Sequence, residues 1–381
     1  MLGPLVRPPS KRLRRLALSG IGAWALCTAA AAQEPLSRIV FGSCFKTDRD
    51  ASVWSTIAAS TPDVVVLAGD NVYADTTDMD RMRASYEALD ALPGFASLRT
   101  STTLLATWDD HDYGRDDAGR EYPQRIASQQ VFLDFLRVPE GDPRRAREGV
   151  YHAEVFGPPG KRVQLVLLDT RYHRDPLERR AQRGERAFGR YGPYAPTRDT
   201  STTLLGEDQW TWLVETLREP AEVRVVVSSI QFASREHGFE KWGNFPHERR
   251  RFLKLLHEHD VNGLLLVSGD RHHAELARID PGPSHQQHEG AQAQATPELA
   301  PPYALYELTA SSLNVPTRFK NEICPYRVGS PYFDANFGSL EIDWDTDDPT
   351  LTLRIHRAED GRAMIAQRLT LSELRPRTPV R

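Results

Sequence analysis

The chain has 381 residues, 40% of them hydrophobic and 26% charged, with a formal net charge of −4. Those proportions belong to a soluble globular protein and exclude a disordered or fibrous one. The slightly acidic balance excludes an overall electrostatic pull toward nucleic acid or anionic membrane, and the length suits one large domain or two small ones.

The N-terminal segment does not read as part of a fold. Lys11, Arg12, Arg14 and Arg15 form a positive region, Leu16 to Ala32 is apolar and rich in small residues, and Ala30-Ala31-Ala32 offers a cleavage pattern before Gln33. This predicts a secretory signal peptide over residues 1–32, with a membrane anchor or disordered leader as the alternative. Arg14-Arg15-Leu16-Ala17-Leu18 also resembles a loose twin-arginine signal. The expected location is periplasmic or extracellular, by a Tat or Sec route. No later stretch is long and apolar enough to span a bilayer, so no integral membrane segment is expected after cleavage. Of the three cysteines, Cys27 lies in the leader. Cys44 and Cys324 invite a disulfide in an exported protein. Against that, Cys44 ends a strand among ligand-type residues, where a thiolate can bind metal.

The mature sequence opens with Arg38–Phe41, an apolar run entering Gly42-Ser43-Cys44. A short helix over Ala51–Ser60 follows. Val64–Leu67 then enters Gly69-Asp70-Asn71-Val72-Tyr73. A helix over Met79–Asp90 is closed by Pro93-Gly94. Leu104–Thr107 enters Trp108-Asp109-Asp110-His111-Asp112, and Pro123–Leu136 carries a wide apolar helical stripe. Val163–Leu168 enters Asp169-Thr170-Arg171. Arg174–Tyr194 is arginine-rich, ends in Gly192-Pro193 before Tyr194, and reads as a loop. Glu207–Leu217 is helical. Val225–Val227 enters Ser228-Ser229-Ile230-Gln231. Phe245-Pro246 precedes a helix over His247–His259. Leu264–Val267 enters Ser268-Gly269-Asp270-Arg271-His272-His273. Pro281–Pro302 is Gln/Ala/Pro-rich without periodicity and reads as a mobile insertion. Ser339–Trp344 and Leu351–His356 alternate as antiparallel strands joined through Asp347-Asp348-Pro349. The expected class is α/β, a two-sheet β-sandwich flanked by helices, with one domain over residues 33–381.

Continuous apolar runs read as strands buried on both faces. In α/β sheets, sites form outside the carboxyl ends of such strands, so residues far apart in sequence converge there. Asp70 leaves its strand after a glycine that permits a tight turn, and Tyr73 can return to the same ion. Asp110 and His111 leave the third strand similarly. Asp270 and His272 share a face if the backbone there is extended. Carboxylate oxygens suit Ca²⁺, Mg²⁺ or Mn²⁺, whereas a mixed thiol, phenol and imidazole set suits Fe³⁺. Two ions of different hardness is the economical reading. Taken singly, each motif has a bland reading. Gly-Asp after a strand is usually a turn, Asp-Asp-His-Asp a solvated loop or helix cap, Asp169-Thr170-Arg171 a structural salt bridge, and His273 a packing residue. The signal is the ordered combination.

That combination resembles a known family. Gly69-Asp70-x-x-Tyr73, Trp108 to Asp112, Leu168 to Arg171 and Ser268-Gly269-Asp270-x-His272 look like motifs of the PhoD-type alkaline phosphatases and phosphodiesterases. These belong to the calcineurin-like metallophosphoesterases and share site logic with purple acid phosphatases. Phe41 to Cys44 matches the family's opening strand, and Trp242 to Arg249 resembles its Trp…Pro-x-Glu-Arg segment; together the resemblance covers roughly residues 38–345. It implies a metallophosphoesterase sandwich. Cys44, Asp70, Tyr73 and His272 then look like ligands of Fe³⁺, with Asp70 bridging to Ca²⁺ and Asp110, Gln231 and Asp270 as further ligands, other divalent metals remaining open. His111 resembles the catalytic or phosphate-binding histidine, Arg171 the arginine near the substrate phosphate, and Trp242 offers an apolar face to substrate. Position 112 is Asp where Glu is usual, and the family's N-terminal β-domain has no counterpart before Arg38, which leaves the preference for monoesters or diesters open.

The expected substrate is a phosphate ester, with no nucleic-acid partner indicated. Two adjacent cations would neutralise the phosphoryl oxygens and acidify a water that attacks in line. His111 is the candidate acid for the leaving alkoxide, and the forked donors of Arg171 suit non-bridging oxygens. Two rival readings are a related lyase or sulfohydrolase on the same metals, and a catalytically inactive metal- or phosphate-binding protein that kept the fold.

Overall fold

The six strands expected from unbroken apolar runs all form in a computed structural model of the chain, and all six are parallel. The structure describes residues 1, 3, 34–180, 192–282, 299–317, 320 and 322–376. The expected signal peptide and twin-arginine run therefore lie outside the described residues. So do residues 181–191 of the arginine-rich loop and 283–298 of the Gln-rich insertion.

Gln33–Arg381 forms one compact unit. Its strands are β1 (Arg38–Gly42), β2 (Val64–Ala68), β3 (Thr103–Thr107), β4 (His152–Phe156), β5 (Val163–Leu167), β6 (Val223–Ser228), β7 (Leu264–Ser268), β8 (Ala274–Ile279), β9 (Leu305–Ala310), β10 (Arg327–Tyr332), β11 (Asn336–Asp343), β12 (Thr350–Arg357) and β13 (Ala363–Thr370). One sheet runs β13-β12-β11-β1-β2-β3 and the other β10-β8-β9-β7-β6-β5-β4. Each holds a parallel block, β1-β2-β3 at one edge of the first and β5-β6-β7-β9 within the second, with antiparallel strands beside it.

Period-2 alternation decides which layer each side chain joins. Ile39 and Phe41, Val64 and Val66, and Leu105 of the first sheet pack with Val163, Val225 and Leu265 of the second in one buried cluster. Their alternates Val40, Val65, Leu67 and Ala106 face a second cluster. That cluster is supplied by the helices α1 (Val53–Ala59), α2 (Met79–Asp90), α3 (Pro93–Ser101), α4 (Asp110–Tyr113) and α5 (Arg125–Phe135). Outside the second sheet lie α6 (Glu207–Leu217) and α7 (Pro246–Glu258), through Trp210, Leu213, Phe252 and Leu256. The result is the expected layering of helices, sheet, sheet and helices. Burying a Val or Leu on either face contributes roughly 1.5–3 kcal/mol, so strands buried on both sides show no polar alternation.

Three expectations change. Pro93-Gly94 does not merely close a helix. Pro93 opens α3, where its missing N–H leaves no helical bond unmade. Asp270 and His272 do not lie on an extended strand but in the turn between β7 and β8. Cys44 and Cys324 are both free and buried, so they form no disulfide.

Candidate metal centre

The two sheets bring their strand ends into contact at one place. Gly269, after β7, lies where an added Cβ would sit 2.6 Å from Ser43 Oγ and 2.9 Å from the Ala68 carbonyl. Gly69, after β2, has φ +102°, and a Cβ there would sit 2.6 Å from the Asp109 Cβ. Both glycines are needed for backbone to approach this closely, and each places the following aspartate in the gap.

The backbone there is strained. Among the described residues, nine non-glycine residues adopt positive φ, and six of them surround this gap: Cys44, Asp70, Asp75, Asp117, Asp270 and His272. Each such conformation costs on the order of 1–3 kcal/mol and persists only where its surroundings enforce it.

Four overlapping sets of ligand atoms result among the described residues, with the atoms of each set within 4.8 Å of one another. The first is Cys44, Asp70 and His272; the second Asp70, Asp110 and His111; the third Asp109, Asp110 and Asp270; the fourth, sharing Asp110, adds Asp117 and Glu240. Asp70 joins the first to the second and Asp110 the second to the third. The Tyr73 hydroxyl donates to Asp70 Oδ2 at 3.1 Å and lies 2.8 Å from His272 Nε2. Cys44 Sγ lies 3.5 Å from Asp70 Oδ2. Cys44, Asp70, Asp109 and Asp110 are buried and form the floor, while Tyr73, His111, Asp270 and His272 are partly exposed at the mouth.

Burial and mutual repulsion shape the titration of this cluster. Burial pushes the Cys44 thiol up to about 12 and Asp270 up to about 6, the latter partly offset by Arg271. Burial also raises Asp70 and Asp109 well above the carboxylate range, and raises Tyr73. Burial lowers His272 to about 3, assisted by Arg271 and His111. For His111, burial opposes the charged form, but Asp110 and Asp70 outweigh it and lift the imidazole to about 11. Burial likewise opposes the charged form of Asp110, yet His111 and Arg171 hold it below its ordinary value.

These residues fit bound cations. Asp109 Oδ2 and Asp110 Oδ1 are buried without a hydrogen-bond donor, and leaving such an oxygen unsatisfied costs about 1–3 kcal/mol. A cation would satisfy both and reverse the upward shifts of thiol, phenol and carboxyls. The thiol, phenol, imidazole and carboxylate of Cys44, Tyr73, His272 and Asp70 form one donor set, and Asp70, Asp109, Asp110 and Asp270 an all-oxygen one.

His111 stands at the rim. Its Nδ1 lies 2.7 Å from Asp75 Oδ1, its Nε2 lies 3.8 Å from Asp116 Oδ1, and its ring lies 4.2 Å from that of Tyr73, centroid to centroid. Lys46 Nζ sits 4.3 Å from the Tyr73 ring centroid and pairs with no carboxylate among the described residues.

Three expected site residues are placed elsewhere. Arg171 is fully buried beneath the floor. Its Nε donates to Asp109 Oδ1 at 2.6 Å, and its two terminal nitrogens lie 2.5 Å from Asp109 and from Glu240. With its fork already filled by carboxylates, it does not face a substrate. Gln231 is turned into a buried polar network, its amide nitrogen donating to Glu275 at 2.8 Å and Thr309 at 3.0 Å while its oxygen meets His237. Trp242 is 1% exposed, packs against Trp210, Phe232 and Phe252, and donates its indole N–H to Ser228 at 2.9 Å. It belongs to the core and offers no face at the mouth. The ends of the arginine-rich loop are also buried: Arg174 pairs with Glu240 at 3.2 Å, and Tyr194 is 3% exposed.

Other residues acquire roles that the sequence reading did not assign. Asp109 belongs to a ligand set. Asp112, the variant position, accepts from the backbone of Asp70, Asn71 and Asp109 and from the Asn71 side chain, so it braces the two aspartate turns. Ser311, after β9, lies 3.2 Å from Cys44 Sγ and accepts from the His272 N–H at 2.8 Å.

Residues 39–323 match the family described as PhoD-like phosphatase. The chain belongs to that family. It is 24% identical over 300 residues to alkaline phosphatase D of Bacillus subtilis (strain 168), a match that takes in 67% of this chain and 49% of the relative. It thus spans about half the length of the curated relative it matches. Its fold is similar to that of a solved PhoD, with a TM-score of 0.58 and 15% identity over 88% of this chain and 73% of the other. It is also similar to a purple acid phosphatase from yellow lupin (Lupinus luteus) seeds, with a TM-score of 0.56 and 12% identity over 89% of this chain and 54% of the other. At those identities the structural likeness speaks for the PhoD-like fold alone.

Proposed function

We propose that this chain is an exported, metal-dependent phosphoric ester hydrolase acting on monoesters or diesters. The observation that carries the reading is the run of ligand sets linked through Asp70 and Asp110, opening on His111 and Lys46. Membership of a PhoD-like phosphatase family and the matching alkaline phosphatase D support it. Among the described residues no helix is long and apolar enough to cross a membrane. Export rests on the leader pattern of residues 1–32.

Cys44, Asp70, Tyr73 and His272 would hold Fe³⁺, and Asp70, Asp109, Asp110 and Asp270 would hold Ca²⁺, following the softness of each donor set. When bound, such cations supply positive charge to the phosphoryl oxygens and acidify the attacking water. Hydrolysis forms one bond from water oxygen to phosphorus and breaks the bond from phosphorus to the alcohol oxygen, with a net proton passing from water to the alcohol. The chain's own residues orient and balance these changes. Asp75 fixes the His111 ring through Nδ1, which leaves Nε2 at the mouth to donate a proton to the departing oxygen. Lys46 supplies a mobile cation for a non-bridging oxygen. Arg171, itself anchored by Glu240, holds Asp109 still beneath the floor. Ser311 holds the Cys44 thiol and the His272 backbone.

The test is turnover of a phosphomonoester and a phosphodiester by the purified protein before and after calcium chelation. Turnover that falls on chelation and returns with calcium supports the reading. Metal bound without turnover of any phosphate ester, while a sulfate ester is turned over or nothing is, would transfer the chain to one of the rival classes.

A further inference from the structure

Beside His111 lies a cavity of about 310 Å³ that none of the proposed chemistry uses. It adjoins the metal centre directly. The Asp117 N–H donates to Asp110 Oδ2 at 2.6 Å, and Asp116 Oδ1 lies 3.8 Å from His111 Nε2. Both aspartates line the cavity. A group leaving phosphorus toward His111 would therefore depart toward this space.

The lining gives the chemistry of that group. The walls include Pro123, Pro176 and Leu177, with the rings of Tyr122 and Tyr194, which suits a compact apolar or planar body. The charges are unequally committed. Asp117 is bonded by the Tyr194 hydroxyl, Glu121 Oε1 accepts from the Gly119 N–H at 2.9 Å, and Asp116 faces His111. The two arginines of the lining, Arg115 and Arg179, form no ion pair with any carboxylate among the described residues, and Arg179 rests 5.4 Å from the Tyr194 ring centroid. Both guanidiniums remain available for an anion, and their forked donors match the planar or tetrahedral oxygens of one. The volume is at the small end of ligand pockets, enough for a single ring or short chain with its charge.

We propose that this cavity is the leaving-group subsite for a phosphate ester whose alcohol carries a second anionic group, a carboxylate or a further phosphate, held by Arg115 and Arg179. The proposal rests on the phosphoesterase reading.

The test compares 3-carboxyphenyl phosphate with its neutral counterpart 3-carbamoylphenyl phosphate, on the full chain and on an Arg115→Ala/Arg179→Ala variant. Neither arginine belongs to the metal centre, so hydrolysis of the neutral ester should be unchanged. The charged ester should be preferred by about 10-fold or more in kcat/KM, through KM, and the variant should lose that preference. A still larger preference for benzene-1,3-diyl bisphosphate would assign the second group as phosphate; equal or smaller preference would assign it as carboxylate. A binding arm is independent of turnover. 3-Hydroxybenzoate should bind the intact chain more tightly than 3-hydroxybenzamide, and the variant should abolish the difference. Equal affinities in both proteins, or a preference that survives the variant, would overturn the subsite. Arginine-dependent binding of 3-hydroxybenzoate with no hydrolysis of either ester would instead overturn the phosphoesterase reading and with it the leaving-group role.

Discussion

His111 Nδ1 lies 2.7 Å from Asp75 Oδ1, and Asp75 itself sits in the left-handed backbone region with φ 44°. A strained residue thus holds one face of the imidazole and turns the other toward the mouth. His111→Ala should lower turnover by ~10²–10⁴-fold, the range of a general acid. The loss should shrink for nitrophenyl esters, whose departure needs less protonation. Asp75→Asn should give a smaller loss with the same leaving-group dependence and unchanged metal content. An equal loss across leaving groups would move His111 to phosphate binding, and loss of metal would move it into the coordination shell.

Lys46 lies over the Tyr73 ring and is proposed to contact a substrate oxygen. Lys46→Ala should raise KM by about 10-fold and leave kcat nearly unchanged, as expected for loss of one charge-assisted hydrogen bond. A kcat effect without a KM effect would show that its role is to position Tyr73 instead.

Arg171 and Trp242 are buried, so their removal should act on stability. Arg171→Met leaves Asp109 without a buried counter-charge and Glu240 with Arg174 alone, which costs about 3–5 kcal/mol. Trp242→Ala opens the core between Trp210, Phe232 and Phe252 at a cost of about 3–5 kcal/mol. Denaturant unfolding measures both. KM for a small phosphate ester should hold in the folded fraction of each variant, and a raised KM with intact stability would return either residue to the substrate.

Gly269 lies where the two sheets meet. Gly269→Ala should destabilise the chain by about 1–3 kcal/mol through overpacking against Ser43 and the Ala68 carbonyl. Because the displaced segments carry Cys44, Asp70 and Asp270, metal affinity should fall with it. Calorimetric unfolding and metal titration on the same sample would separate the two, and unaltered values in both would show that the strand ends move apart without cost.

The layering and the convergence of strand ends were legible because a parallel strand buried on both faces has to be apolar throughout. The antiparallel strands were less so. β10 is half-exposed and β13 carries Gln367 and Arg368, and neither shows a clean period. β9 was obscured by the Gln-rich stretch before it, and with it went Ser311. Sequence order shows where a strand ends but not where the next side chain points. Gln231 and Arg171 both follow strand ends as expected, yet one turns into the polar network of Glu275 and the other beneath Asp109. Trp242 reads as a loop aromatic because the buried 3₁₀ turn that carries it into the core has no periodic signature. Glu240 carries no local signal at all. Its placement follows only from the two buried arginines that require it. Asp109 could have been found, since it stands in the same Asp-Asp-His-Asp run and caps α4.

The most direct test of the metal centre is elemental analysis of the purified native protein. Iron and calcium together, with a visible charge-transfer band that is lost in Cys44→Ala, are the expected result. A colourless protein that is fully active with zinc alone and no iron would contradict the assignment of Cys44 and Tyr73 as iron ligands.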